Sequence, residues 1–183
     1  MPNLRDLRAL LPGCLVLLAL AGTAHAQFAA TGTTSLSVAV GPEAALQVTA
    51  STSLTTAGTT FNANYTGTTS LTYKIRTTKS GGTGTITLKV TTDFSPAGGP
   101  SVLTPPTAGD TLAYTCTVSS PGTACSGSQT ASTTASTAVG TFGADNHSAS
   151  AGNSGSVAWT LTDDPQYSTG TYTATVTFTI SAT

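Results

Sequence analysis

Few residues in this chain have the types and spacing that chemistry requires. His147 precedes Ser154 within one polar stretch, and Gly152-Asn153-Ser154-Gly155-Ser156 faintly echoes the loop that carries a protease nucleophile. A catalytic triad draws its members from separate elements held by a scaffold, however, and no G-x-S-x-G elbow is present. We therefore read 144–155 as a polar loop. Asp163 and Asp164 are the only adjacent carboxylates. Neighbouring residues point apart, which suits neither a glycosidase acid/base pair nor calcium, whose loops space their Asp residues alternately. Turn formation ahead of Pro165 accounts for both. Asn64-Tyr65-Thr66 and Asn146-His147-Ser148 match the glycosylation sequon, which is too short to carry weight alone. No catalytic residue, metal set or cofactor is expected, and the chain does not read as an enzyme.

The remaining polar features are a cysteine pair and a group of cations. Cys116 and Cys125 flank Pro121-Gly122 and, in an exported chain, predict one disulfide closing a short loop, stabilising by roughly 2–3 kcal/mol. The absence of a CxxC pair argues against zinc or thioredoxin-like chemistry. Lys74, Arg76, Lys79 and Lys89 all fall on one expected hairpin, residues 71–91, and Lys74, Arg76 and Lys89 share its outward parity. They form either a basic strip for an acidic partner or protection of an exposed strand against aggregation, and the second is favoured.

Around these residues the chain is polar but almost uncharged. Charged residues make up 7% of it, against roughly a quarter in ordinary globular proteins. Residues 1–26 read as a secretory signal peptide: Arg5 and Arg8, an apolar run from Leu10 to Ala21 too short to span a bilayer, then Ala24-His25-Ala26. Cys14 precedes most of that run, which speaks against lipidation. The expected mature chain starts at Gln27 with four Lys or Arg and six Asp or Glu, a net charge of 4 − 6 = −2. No broad basic face for nucleic acid exists, and no stable membrane insertion is expected after cleavage.

Period-two alternation dominates the rest. Tyr172, Ala174, Val176, Phe178 and Ile180 share one face, and the intervening threonines share the other. Leu71-Tyr73-Ile75 and Ile86-Leu88-Val90 predict two strands joined at Ser80-Gly81-Gly82 as a hairpin. Leu112-Tyr114-Cys116-Val118 and Val157-Trp159-Leu161 predict two more, with Val139 and Phe142 ending another. Ala44, Leu46, Val48 and Ala50 form a short run; Thr55–Gly58 and Thr66-Gly67 read as turns, and Asp93–Pro106 as a long loop. Phe28–Val40 alternates after a weak start. About eight or nine strands, frequent turns and no amphipathic helix predict an all-β fold, an antiparallel, immunoglobulin-like Greek-key sandwich at 42–183 behind an N-terminal strand or extension at 27–41. The threonine rows also invite ice binding, but no fixed repeat is visible.

The ending GTYTATVTFTISAT, with its Gly-x-Tyr and alternating apolar residues, resembles the terminal strand of bacterial fimbrial (pilin-like) subunits and of spore-coat-U-like secreted proteins. The signal peptide, the alternating Phe28–Val40 stretch and the lone disulfide are similar to that group. The resemblance implies a secreted or cell-surface structural protein, a subunit of a fibre or adhesive coat that assembles by strand exchange. Phe28, Gly32, Leu36, Val38 and Val40 would be the donor strand, and Val176, Phe178 and Ile180 the acceptor groove. Its partners would be copies of itself, other fibre subunits and a periplasmic chaperone. The short-loop disulfide departs from common pilins, where the bridge ties the first strands together. The competing expectation is a self-contained carbohydrate- or surface-binding module, which should expose a concave aromatic cluster; Trp159 reads as core instead.

Overall fold

The computed structural model describes residues 31–183 except 57 and 62. The expected signal peptide and Phe28 lie outside the described residues. Ten strands and no helix are found among those described: β1 (Glu43–Val48), β2 (Thr55–Thr56), β3 (Tyr65–Arg76), β4 (Gly84–Ser95), β5 (Leu112–Val118), β6 (Thr123–Ala124), β7 (Gln129–Thr130), β8 (Thr137–Phe142), β9 (Asn153–Leu161) and β10 (Thr173–Ala182). They form two antiparallel sheets. The first runs β1-β3-β9-β5-β7 with β2 also on β3; the second runs β10-β4-β8-β6.

The alternation read from sequence is what builds the core. Leu71, Tyr73 and Ile75 from β3, Leu112 and Tyr114 from β5, and Val157, Trp159 and Leu161 from β9 face Ile86, Leu88 and Val90 from β4 and Val139 and Phe142 from β8. Tyr73 packs on Phe142 at 5.1 Å between ring centroids, and Tyr114 on Trp159 at 5.4 Å. Such tilted pairs add roughly 0.5–1.5 kcal/mol each to the burial itself. The polar tips of these rings find partners: Trp159 Nε1 donates to Thr69 Oγ1 and Tyr114 OH to the Ala138 carbonyl, both at 2.8 Å.

The 71–91 hairpin is not formed. β3 pairs with β1, β2 and β9, whereas β4 pairs with β10 and β8, so the two strands belong to opposite sheets. The Ser80-Gly81-Gly82 corner carries the chain from one sheet to the other. Gly81 has φ +73°, and a Cβ on Gly84 would lie 2.6 Å from Ile75 Cδ1. Glycine is needed here for the crossing, not for a two-residue turn. Alternation states which face of a strand is buried; facing sheets satisfy it as well as paired neighbours do.

Several boundaries also move. Thr66-Gly67 is no turn but lies inside β3, where a Cβ on Gly67 would meet the Ser53 carbonyl oxygen at 2.6 Å. Thr55–Thr56 pairs with β3, β4 runs on to Ser95, and β9 starts at Asn153, inside the stretch read as a loop. Residues 31–41, the described part of the expected N-terminal strand, carry no strand.

Candidate functional site

The two lateral edges of the sandwich are built differently. At one, β5 and β8 carry only the two-residue strands β7 and β6. Cys116 on β5 is joined to Cys125, just after β6, with 5.5 Å between their Cα atoms. This disulfide, at the expected position, ties the first sheet to the second. The Cys125 amide also donates to the Val139 carbonyl at 2.9 Å.

At the other edge lie β1 and β10. Each pairs on one side only among the described residues, β1 with β3 and β10 with β4. They approach each other but belong to different sheets. Val176, Phe178 and Ile180 point inward from β10 and are half-buried, packed against the core beside Ala44, Leu46 and Val48 of β1. The three residues expected to line an acceptor groove therefore share one face of a strand whose outer edge is unpaired among the described residues. Such an edge displays backbone N–H and C=O groups to any strand that reaches it. Of the residues expected to form a donor strand, Leu36 is 94% exposed, Val38 85% and Val40 64%, and Gly32 is also exposed.

The outward threonines of β10 bond across to β4. Thr177 pairs with Thr91 and Ser181 with Thr85, each at 3.0 Å. Register shifts around Thr175 interrupt the row, so the threonines do not form an unbroken array.

The basic strip is not assembled. Lys74 and Arg76 lie on the outer face of the first sheet and Lys89 on that of the second, because β3 and β4 are not neighbours; Lys79 sits at the corner between them. Arg76 donates from Nη2 to Glu43 at 3.1 Å and from Nε to the Gly41 carbonyl at 2.7 Å, fastening the start of β1. A hollow of about 330 Å³ runs along this outer face, lined by Glu43, Lys74, Arg76, His147 and Ser148 among others and by no Phe, Tyr or Trp. His147 Nε2 lies 3.5 Å from Asp145, and Ser154 bonds to Ser119 at 3.0 Å, so the two are not brought together.

Sequence reading missed a carboxylate group at one end of the sandwich. Asp164 is 6% exposed, and its Oδ1 accepts the Gln166 amide at 2.8 Å, as turn formation requires. Its Oδ2 is buried without a hydrogen-bond partner of good geometry. Asp110, from the loop before β5, lies beside it. Burial, then contact with the Asp164 carboxyl, raises the Asp110 pKa, while the Thr107 side chain and the Gln166 amide hold that of Asp164 low. Tyr167 donates to Asp110 Oδ2 at 3.4 Å; burial and the charges of Asp110 and Asp164 push its phenol well above the ordinary value.

No protein-family model, curated protein or solved structure matches the chain.

Proposed function

We propose that this protein is a secreted structural subunit of a surface fibre or adhesive coat, in which the N-terminal stretch of one copy adds a strand to the β1/β10 edge of the next. The observation that carries the proposal is the unpaired outer edge of β10, with Val176, Phe178 and Ile180 half-buried behind it, in a chain that also exposes Leu36, Val38 and Val40 at alternate positions. Strand addition satisfies both at once: main-chain hydrogen bonds supply affinity, and alternate side chains fill the space between the sheets. Burying three such side chains is worth roughly 2 kcal/mol each before ordering costs. Entry of the strand must spread β1 from β10, which now approach each other.

Strand order supports an immunoglobulin-like origin for the gap. β1-β3-β9-β5 and β10-β4 run in the A-B-E-D and F-C order of that sandwich, with no described strand beside β10 on its outer side; β8, beyond β4, comes after β5 in the chain and departs from that order. Tyr172 just before β10 donates its hydroxyl to the Ser168 carbonyl at 2.6 Å, as does the tyrosine at the start of strand F in such domains. Gly99 leaves room for its ring: a Cβ there would sit 2.3 Å from Tyr172 Cζ.

Deleting residues 27–40 tests the proposal. The intact mature chain should elute as oligomers by size exclusion and the deleted chain as a monomer. An intact chain that stays monomeric at high concentration counts against assembly.

A further inference from the structure

The end of the sandwich where β5 and β10 begin holds a second feature, independent of assembly. Gln166 Nε2 donates to Thr107 Oγ1 at 3.1 Å and Tyr167 OH to Asp110 Oδ2 at 3.4 Å, so the 163–167 turn is laid against the 107–110 loop. Within that contact Asp164 Oδ2 is buried with no hydrogen bond of good geometry, although the Thr107 hydroxyl and the Asp110 carboxyl lie near the Asp164 carboxyl. A buried carboxylate oxygen left bare is strongly unfavourable, and buried charges are as a rule paired or bound to metal. No cationic side chain does the pairing: the ion pairs among the described residues are Arg76–Glu43 and His147–Asp145. The groups near the two carboxyls are also oxygens: the Thr107 hydroxyl and the Asp110 carboxyl beside Asp164, and the hydroxyls of Thr162 and Tyr167 beside Asp110.

We propose that Asp110 and Asp164 bind a hard divalent cation of the calcium type, which bridges the loop before β5 to the turn before β10. An all-oxygen donor set of carboxylates and hydroxyls selects such an ion over zinc or copper. No group of three His, Cys, Asp or Glu converges among the described residues, so water completes the shell. Affinity is then weak, with Kd on the order of 10⁻⁴–10⁻³ M, the range of extracellular calcium modules. The ion stabilises the fold by binding only the folded state.

The test is thermal unfolding of the full mature chain after EDTA treatment, titrated with calcium at neutral pH. Tm should rise by about 5 °C and saturate at millimolar calcium. The rise should vanish in Asp110→Asn and Asp164→Asn and persist in Glu43→Gln. Should Asp164→Asn fail to fold, Asp110→Asn and saturable terbium luminescence, displaced by calcium, carry the same decision. No saturable response in either readout, or an unchanged response in Asp110→Asn, overturns the site. Stability that instead climbs as pH falls from neutral into the acid range, indifferent to calcium, would assign the bare oxygen to a proton shared with Asp110.

Discussion

The edge closed by the disulfide and the edge bounded by β1 and β10 solve the same problem in opposite ways. At the first, the outermost strands are only two residues long and the sheets are covalently joined. At the second, the ten residues of β10 run unpaired on one side among the described residues, with an apolar inner face only half covered. Proteins that remain monomeric usually blunt such an edge with charge, proline or a bulge. Here the bulge near Thr175 affects only the start of β10, and no charged residue falls within Thr173–Ala182. One edge is thus finished within the chain, and the other is left open among the described residues, which is what the proposed strand addition requires.

If this contrast holds, stability and assembly should separate by edge. Replacing both Cys116 and Cys125 with Ser should lower unfolding free energy by roughly 2–3 kcal/mol, read from the urea midpoint, while leaving the oligomer distribution of the folded protein unchanged. Loss of oligomers among molecules still folded would show that the closed edge takes part in assembly.

A smaller effect lies nearer the open edge, on β4, the strand that pairs with β10. Asp93 accepts the Phe94 and Val102 amides and the Ser101 hydroxyl at 2.7–2.8 Å, and the Leu103 amide at 3.1 Å. Burial alone would raise its pKa, but the Val102 amide, the Ser101 hydroxyl and the other amides together hold it below the ordinary 3.8. A depressed carboxylate pKa contributes stability that is complete above the unfolded value and disappears as pH falls through the folded one. Asp93→Asn should therefore cost about 2 kcal/mol near neutral pH. The gap to the native chain should narrow only below pH 3.8. A gap unaffected by acid would mean the charge is not what the amides hold.

Sequence alternation made the core legible almost residue by residue, because Leu71-Tyr73-Ile75, Ile86-Leu88-Val90 and Val157-Trp159-Leu161 each have one face that water does not reach. It could not say which sheet a strand joins, and so the 71–91 segment read as a hairpin and its cations as a strip. Gly67 read as a turn because a glycine allows two things, a bend or a close approach, and here the approach of residues 52–54 decides. The cysteine pair and the apolar face of β10 were legible from composition and period. The Asp164 site was not, since its partner Asp110 is brought to it only by the fold, and the sequence shows only the adjacent Asp163.

The most direct measurement is hydrogen exchange of β10 in the mature chain, with and without an added peptide of residues 31–41. Strand addition predicts slowed exchange at alternate β10 amides, those facing away from β4, and no slowing with a peptide carrying Val38→Asp. Exchange along β10 that the native peptide leaves unaltered would contradict the idea that this edge exists to receive a strand.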